Sequence, residues 1–193
     1  MQDVTFDQVY PTSHRFRSYL HWTPVDVAIR AAALLAPTPA CNVLDVGAGV
    51  GKVCLIGAAV TQAKWYGVER DAEMVRAATT AAARMGVEHR TQFLHGDVSS
   101  VDWSMFDAFY LFNPFAELLT SGPDDPLTRR ERYVAAIELV QRQLSRSAAG
   151  TRVVTYHGFG GEPPPVFDLI HRETARGDEL CLWVRRPSHR QRK

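Results

Sequence analysis

The chain is short of several things, and each shortage narrows what it can be. It has three cysteines, Cys41, Cys54 and Cys181, an odd number with no Cys-x-x-Cys spacing. That pattern argues against a disulfide framework and a zinc site, and for reduced thiols in a cytoplasmic protein. Its only lysines are Lys52, Lys64 and Lys193, and the remaining basic residues are arginines. The net charge is only +1, which argues against a general polyanion binder, although not against a local cluster of charge. No long apolar run exists either. The longest mainly apolar stretch, Val25 to Ala36, is too short to span a bilayer and contains Asp26 and Arg30, so no membrane partner is expected. The opening MQDVTFDQVY has no basic start and no apolar core, so it does not read as a signal peptide. His14, His21, His89, His95, His171 and His189 form no HxH or HxxxH pair, and no metal is expected.

What is present reads as one domain over residues 1–193. Residues 1–40 form a helical lead, and residues 187–193 a basic, disordered tail. The segment TPVDVAIRAAALLAP predicts a helix, with Thr23 as N-cap, Pro24 at the first position and Asp26 completing a capping box. Strands follow at NVLDVG, KWYGVER, TQFLHGD, FDAFYLFNPF and TRVVTYHGF, with helices at KVCLIGAAVT, DAEMVRAATTAAARMG and TRRERYVAAIELVQRQL. Asp71 is the expected cap of the second of these helices and Gly86 its stop; Thr128 and Glu131 suggest a capping box for the third. The closing FDLIHRETA and ELCLWVRRP read as a hairpin joined at RGD. This alternation predicts an α/β fold with a mostly parallel sheet, helices on both faces and an antiparallel last strand. Loops at the carboxyl ends of such strands carry the ligand site.

The most informative stretch is NVLDVGAGVGKV. A nucleotide-triphosphate loop would need glycine where Val46 stands and a hydroxyl where Val53 stands. A dinucleotide fingerprint would need its third glycine where Lys52 stands. What remains is Asp45, Gly47, Gly49 and Gly51, with Ala48 between the first two glycines. This spacing resembles motif I of the class I S-adenosylmethionine-dependent methyltransferases. Such a loop suits a cofactor that the backbone must approach closely. The resemblance implies a Rossmann-like seven-stranded sheet with S-adenosylmethionine on this loop and Asp45 near its methionine ammonium. YGVER ends the second strand with Glu69, placed to accept the ribose hydroxyls, with Arg70 beside it. FLHGDVSS ends the third with Asp97. In the resembled family an acid there accepts from the adenine amino group, and the N–H of the next residue, Val98, meets the ring.

The acceptor is read at the end of the fourth strand. Asn113-Pro114-Phe115 resembles the NPPY-type motif of methyltransferases acting on nitrogen, in which the asparagine oxygen holds the acceptor and an aromatic ring stacks on it. One proline is missing and Ala116 stands where a further aromatic would be, so no base specificity carries over. YLHWTPVDVAIRAAALL before motif I also resembles the non-SET lysine methyltransferases, where the Thr of a Tyr…Thr-Pro segment helps hold the cofactor carboxylate; Tyr19 and Thr23 match. His157, at the end of the fifth strand, is placed to face the acceptor and to take a proton from an amine. The segment from Tyr10 to Trp22 is expected to form a lid. The reading is therefore N-methyl transfer to a protein lysine or small amine, with Asn113, Phe115 and His157 as catalytic residues. An RNA or DNA methyltransferase and a non-catalytic cofactor-binding protein are the alternatives. The assembly state stays open.

Overall fold

The computed structural model of the chain describes residues 2–15, 22–120 and 124–187. Its strands are β1 (Asn42–Val46), β2 (Lys64–Glu69), β3 (Thr91–His95), β4 (Ala108–Leu111), β5 (Arg152–Tyr156), β6 (Phe167–Ala175) and β7 (Asp178–Arg185). They form one seven-stranded sheet in the order β3-β2-β1-β4-β5-β7-β6. The first five strands pair in parallel, and β7 runs antiparallel to both its neighbours, as the sequence pattern implied. The helices are α1 (Asp3–Phe6), α2 (Thr12–Arg15), α3 (Val25–Leu35), α4 (Lys52–Val60), α5 (Ala72–Met85), α6 (Glu117–Thr120) and α7 (Pro126–Arg146).

Alternate residues of the central strands point to opposite faces. Val43, Tyr110 and Val154 join a core with α3, α4 and α5, while Leu44, Phe109 and Val153 join a second core with α7. All four residues of β4 are buried, as a strand covered on both faces requires. Among the described residues, no helix is long and apolar enough to cross a membrane.

Two predicted helix ends hold. Asp71 accepts from the N–H groups of Glu73 and Met74, and Gly86 ends α5 at φ 68°. Two differ. Pro24 itself takes the extended N-cap conformation of α3, so Thr23 is no cap; its hydroxyl bonds the Tyr110 hydroxyl at 2.8 Å, and Val25 N–H is accepted by Asp3. Likewise α7 starts earlier than the Thr128–Glu131 box suggests. Asp125 caps it, accepting from Leu127 and Thr128, with Pro126 in the first turn. The hairpin between β6 and β7 turns on Arg176 and Gly177, at φ 54° and 91°. Two positive φ values in a two-residue loop match the twist of the flanking strands.

Candidate functional site

From β1 the sheet grows outward through β2 to β3, and the chain then returns to the other side of β1 as β4. Loops leaving β1 and β4 therefore diverge, and a crevice opens at their carboxyl ends. Two clefts lie there. The larger, of about 520 Å³, is lined by Glu69, Arg70, Asp97, Val98, Pro114 and Phe115, among others. The smaller, of about 70 Å³, is lined by Trp22, Thr23, Asp45, Ala48, Lys52 and Tyr110, together with Gly47 and Gly49.

The glycine loop is built by three separate constraints. At Gly51, φ is 75° and an added Cβ would stand 2.4 Å from the Phe93 ring, so packing demands glycine. An added Cβ at Gly47 would sit 3.1 Å from Pro114 Cβ, where the loops after β1 and β4 touch. Gly49 differs: nothing comes nearer than Met74 Sδ at 4.0 Å. The loop there borders open space at φ 56°, a cradle that a side chain would begin to fill.

Glu69, at the tip of β2, accepts from Gly49 N–H and Asp71 N–H, both at 2.9 Å. One carboxylate thus joins the loop after β1 to the start of α5. Asp45 is buried at the end of β1, level with Gly67 and Tyr110 on the flanking strands. Burial pushes its carboxyl up to about 7; the Cys54 thiol, 3.8 Å away, opposes this and the Glu69 charge adds to it. A buried acid with so little compensation is poised for a cation. Asp97 caps the turn Val98–Ser100, accepting Ser99 N–H at 2.9 Å, and its other oxygen lies 3.8 Å from Arg70 Nε. Hydrogen bonds from the Ser99 hydroxyl and N–H, with the Arg70 charge, hold its carboxyl below the usual range despite partial burial.

At the end of β4 the strand stops at Leu111, short of the predicted FNPF, because Asn113 takes φ 40°. Its N–H donates to Gly158 O at 2.8 Å, which stitches this turn to the one after β5. Asn113 sits between Phe112, which lines the smaller cleft, and Pro114 and Phe115, which line the larger. Phe115 is also a core residue, packed in the cluster under α7. His157 lines neither cleft. Its Nδ1 lies 2.6 Å from Asp178 Oδ1, brought there because β7 returns beside β5, and its ring meets Phe112 edge-on. The loop after His157 packs on α7 instead of lining a cleft: an added Cβ at Gly161 would meet Ile137 at 2.6 Å.

A family model described as a methyltransferase domain matches residues 43–134, the span holding the glycine loop, Glu69, Asp97 and Asn113. This match, together with the glycine loop and the fold, supports a class I S-adenosylmethionine-dependent methyltransferase. Its fold is similar to that of an RNA methyltransferase from Salinibacter ruber solved with S-adenosylhomocysteine, at 19% identity and TM-score 0.61, covering 86% of this chain and 93% of that one. It is also similar to a protein from Klebsiella pneumoniae proposed to be an O-methyltransferase, at 17% identity and TM-score 0.62, covering 94% and 89%. The [4+2]-cyclase SpnF matches at 16% identity and TM-score 0.56, covering 84% and 81%. Fold likeness alone therefore does not fix the chemistry.

The methyltransferase uses S-adenosylmethionine, and its residues fit that cofactor: a buried acid for an ammonium, an open stretch of loop at Gly49, and a roomier cleft flanked by Glu69 and Asp97. Tyr19 lies outside the described residues, as does the tail from residue 188. Among the described residues, no group of three or more His, Cys, Asp or Glu side chains could hold a metal ion. Lys52, Tyr110, Trp22 and Asp178 were missed as site residues. Lys52 had one signal in the sequence: it is a rare lysine directly after the loop.

Proposed function

We propose that this methyltransferase transfers methyl to a nitrogen, of a protein lysine or a small amine. The observation that carries the reading is Asn113, held at φ 40° in the turn after β4 with its N–H fixed to Gly158, while its neighbours Phe112 and Pro114 line the smaller and the larger cleft. A positive φ at a non-glycine residue costs free energy, and such strain gathers at functional sites. In this reading the cofactor's methionine end lies in the smaller cleft against Asp45, with Thr23 near its carboxylate. Its adenosine lies in the larger cleft, against Glu69, Arg70, Asp97 and Val98, and the loop backbone of Gly47, Ala48, Gly49 and Gly51 runs past the cofactor between its two ends.

S-Adenosylmethionine supplies an electrophilic methyl on a sulfonium. The side-chain oxygen of Asn113 accepts a hydrogen bond from the N–H of the acceptor and keeps the nitrogen lone pair in line, the main lever available for a displacement. Phe115 borders the acceptor. A lysine or amine must lose a proton before it attacks. His157 takes that proton in this reading. The Asp178 carboxylate beside Nδ1 favours the tautomer that leaves Nε2 free as acceptor.

A nucleic-acid acceptor is the second reading, supported by Arg70, Arg132 and Arg142 along the larger cleft and by the fold likeness to an RNA methyltransferase. Against it, each arginine faces a carboxylate: Asp97, Asp124 and Glu138 respectively. Little charge is left over for phosphate. The deciding experiment offers carbon-13 methyl-labelled cofactor to separated protein, RNA and metabolite fractions. Nitrogen-bound methyl in protein or amine supports the proposal; label confined to RNA, or bound to oxygen, refutes it.

A further inference from the structure

Lys52 is charged yet buried, its side chain only 4% exposed. Its Nζ lies 2.6 Å from Asp3 Oδ1 and 3.0 Å from Asp7 Oδ1. The Phe6 and Trp22 rings each stand 5.6 Å from the same nitrogen, within cation–π range. So one ammonium faces two carboxylates, both from the first residues of the chain. Asp3 Oδ1 also accepts Val25 N–H at 2.9 Å, so the same oxygen holds Lys52 and the start of α3.

Lys52 is also the first residue of α4, directly after the glycine loop, and it lines the smaller cleft together with Asp45. That cleft is walled by one acid and one ammonium. The amino-acid end of the cofactor carries both complementary charges. We propose that Lys52 receives the cofactor's methionine carboxylate, releasing Asp3 as it does so. This assignment rests on the cofactor reading above, in which Asp45 takes the ammonium and Thr23 lies near the carboxylate without supplying a charge to balance it.

Several observations support it. A carboxylate brought out of water needs a cation, and Lys52 is the cation among the residues lining this cleft. The first turn of α4 adds N–H groups without intrahelical acceptors and the positive end of the helix dipole. Thr23 is already paired with Tyr110 at 2.8 Å. A third carboxylate on one ammonium would be repelled by the two already there, so one must leave. Asp3 is the more exposed of the two, its side chain 33% accessible against 9% for Asp7. Cofactor binding is thereby coupled to the position of α1.

Calorimetry with S-adenosylmethionine and decarboxylated S-adenosylmethionine tests this, because the two differ only in the carboxylate. Lys52→Met is expected to weaken the first by about tenfold or more and to leave the second within about threefold. Asp3→Asn keeps an oxygen for Val25 N–H but loses the competing charge, and is expected to tighten S-adenosylmethionine alone. Should Lys52→Met unsettle the N-terminal residues, the variant that also carries Asp3→Asn and Asp7→Asn leaves no stranded acid and is expected to give the same ligand pattern. Equal weakening of both ligands, or of neither, overturns the role of Lys52. S-Adenosylmethionine binding no tighter to Asp3→Asn overturns the exchange. A wild-type protein that binds neither ligand overturns the cofactor reading itself, and the assignment with it.

Discussion

The backbone N–H of Gly49 donates to Glu69 Oε2 at 2.9 Å, so the loop after β1 is held by the tip of β2. Glu69→Ala removes that anchor and, in the proposed reading, the acceptor for the ribose hydroxyls. Cofactor affinity is expected to fall by about 1.5–3 kcal/mol, the range of a charge-assisted hydrogen bond. Isothermal calorimetry with S-adenosylhomocysteine checks it. Unchanged affinity would separate Glu69 from the cofactor.

Gly49 and Gly51 look alike in sequence and differ in reason. Gly51→Ala drives a Cβ into the Phe93 ring at a left-handed φ, and a stability loss of about 2–5 kcal/mol is expected. Gly49→Ala meets no atom closer than 4.0 Å, and only the strained φ, about 1–2 kcal/mol, counts against it. Thermal melts of the two variants should therefore separate. Gly49→Val should fold and lose cofactor binding. A folded Gly49→Val that binds normally would mean the cofactor lies elsewhere.

Asp45 binds its proton more tightly in the folded protein, with a pKa of about 7, than in the unfolded chain, where Asp titrates near 3.9. Folding is therefore favoured by this group at low pH. Its contribution declines as pH rises from about 4 to 7 and is constant above. Glu69, Cys54, Tyr10 and Tyr110 share its surroundings, and none brings a positive charge. A cofactor ammonium beside Asp45 favours the carboxylate, so binding near pH 6 should release close to one proton and tighten as pH rises. Calorimetry in two buffers of different ionisation heat measures that release. A binding heat independent of buffer would contradict it.

The order of strands and helices was legible because each strand is a short apolar run between turn residues. The loop after β1 was legible because Asp45, Gly47, Gly49 and Gly51 lie in one unbroken motif. Long-range partners were not. Thr23-Pro24 reads as a cap until Tyr110, 87 positions away, takes the threonine hydroxyl. Gly51 reads as a ligand glycine, although Phe93 on β3 alone would require it. Asp178 reads as a turn residue, yet β7 carries it to His157. Lys52 reads as the residue that spoils a dinucleotide motif, and its partners Asp3 and Asp7 belong to a segment with no pattern to place it.

The central claim is that Asn113 aligns a nitrogen acceptor, and the kinetics of Asn113→Ala test it most directly. The variant loses the amide oxygen while Glu69, Asp97 and the glycine loop remain. Steady-state turnover and cofactor Kd are measured on the same preparation, with Phe115→Ala beside it to report whether a planar acceptor stacks. The account predicts a kcat about a hundredfold lower, as expected for lost alignment, with Kd within about threefold of wild type. Methylation by Asn113→Ala at the wild-type rate would contradict it and favour an oxygen or carbon acceptor.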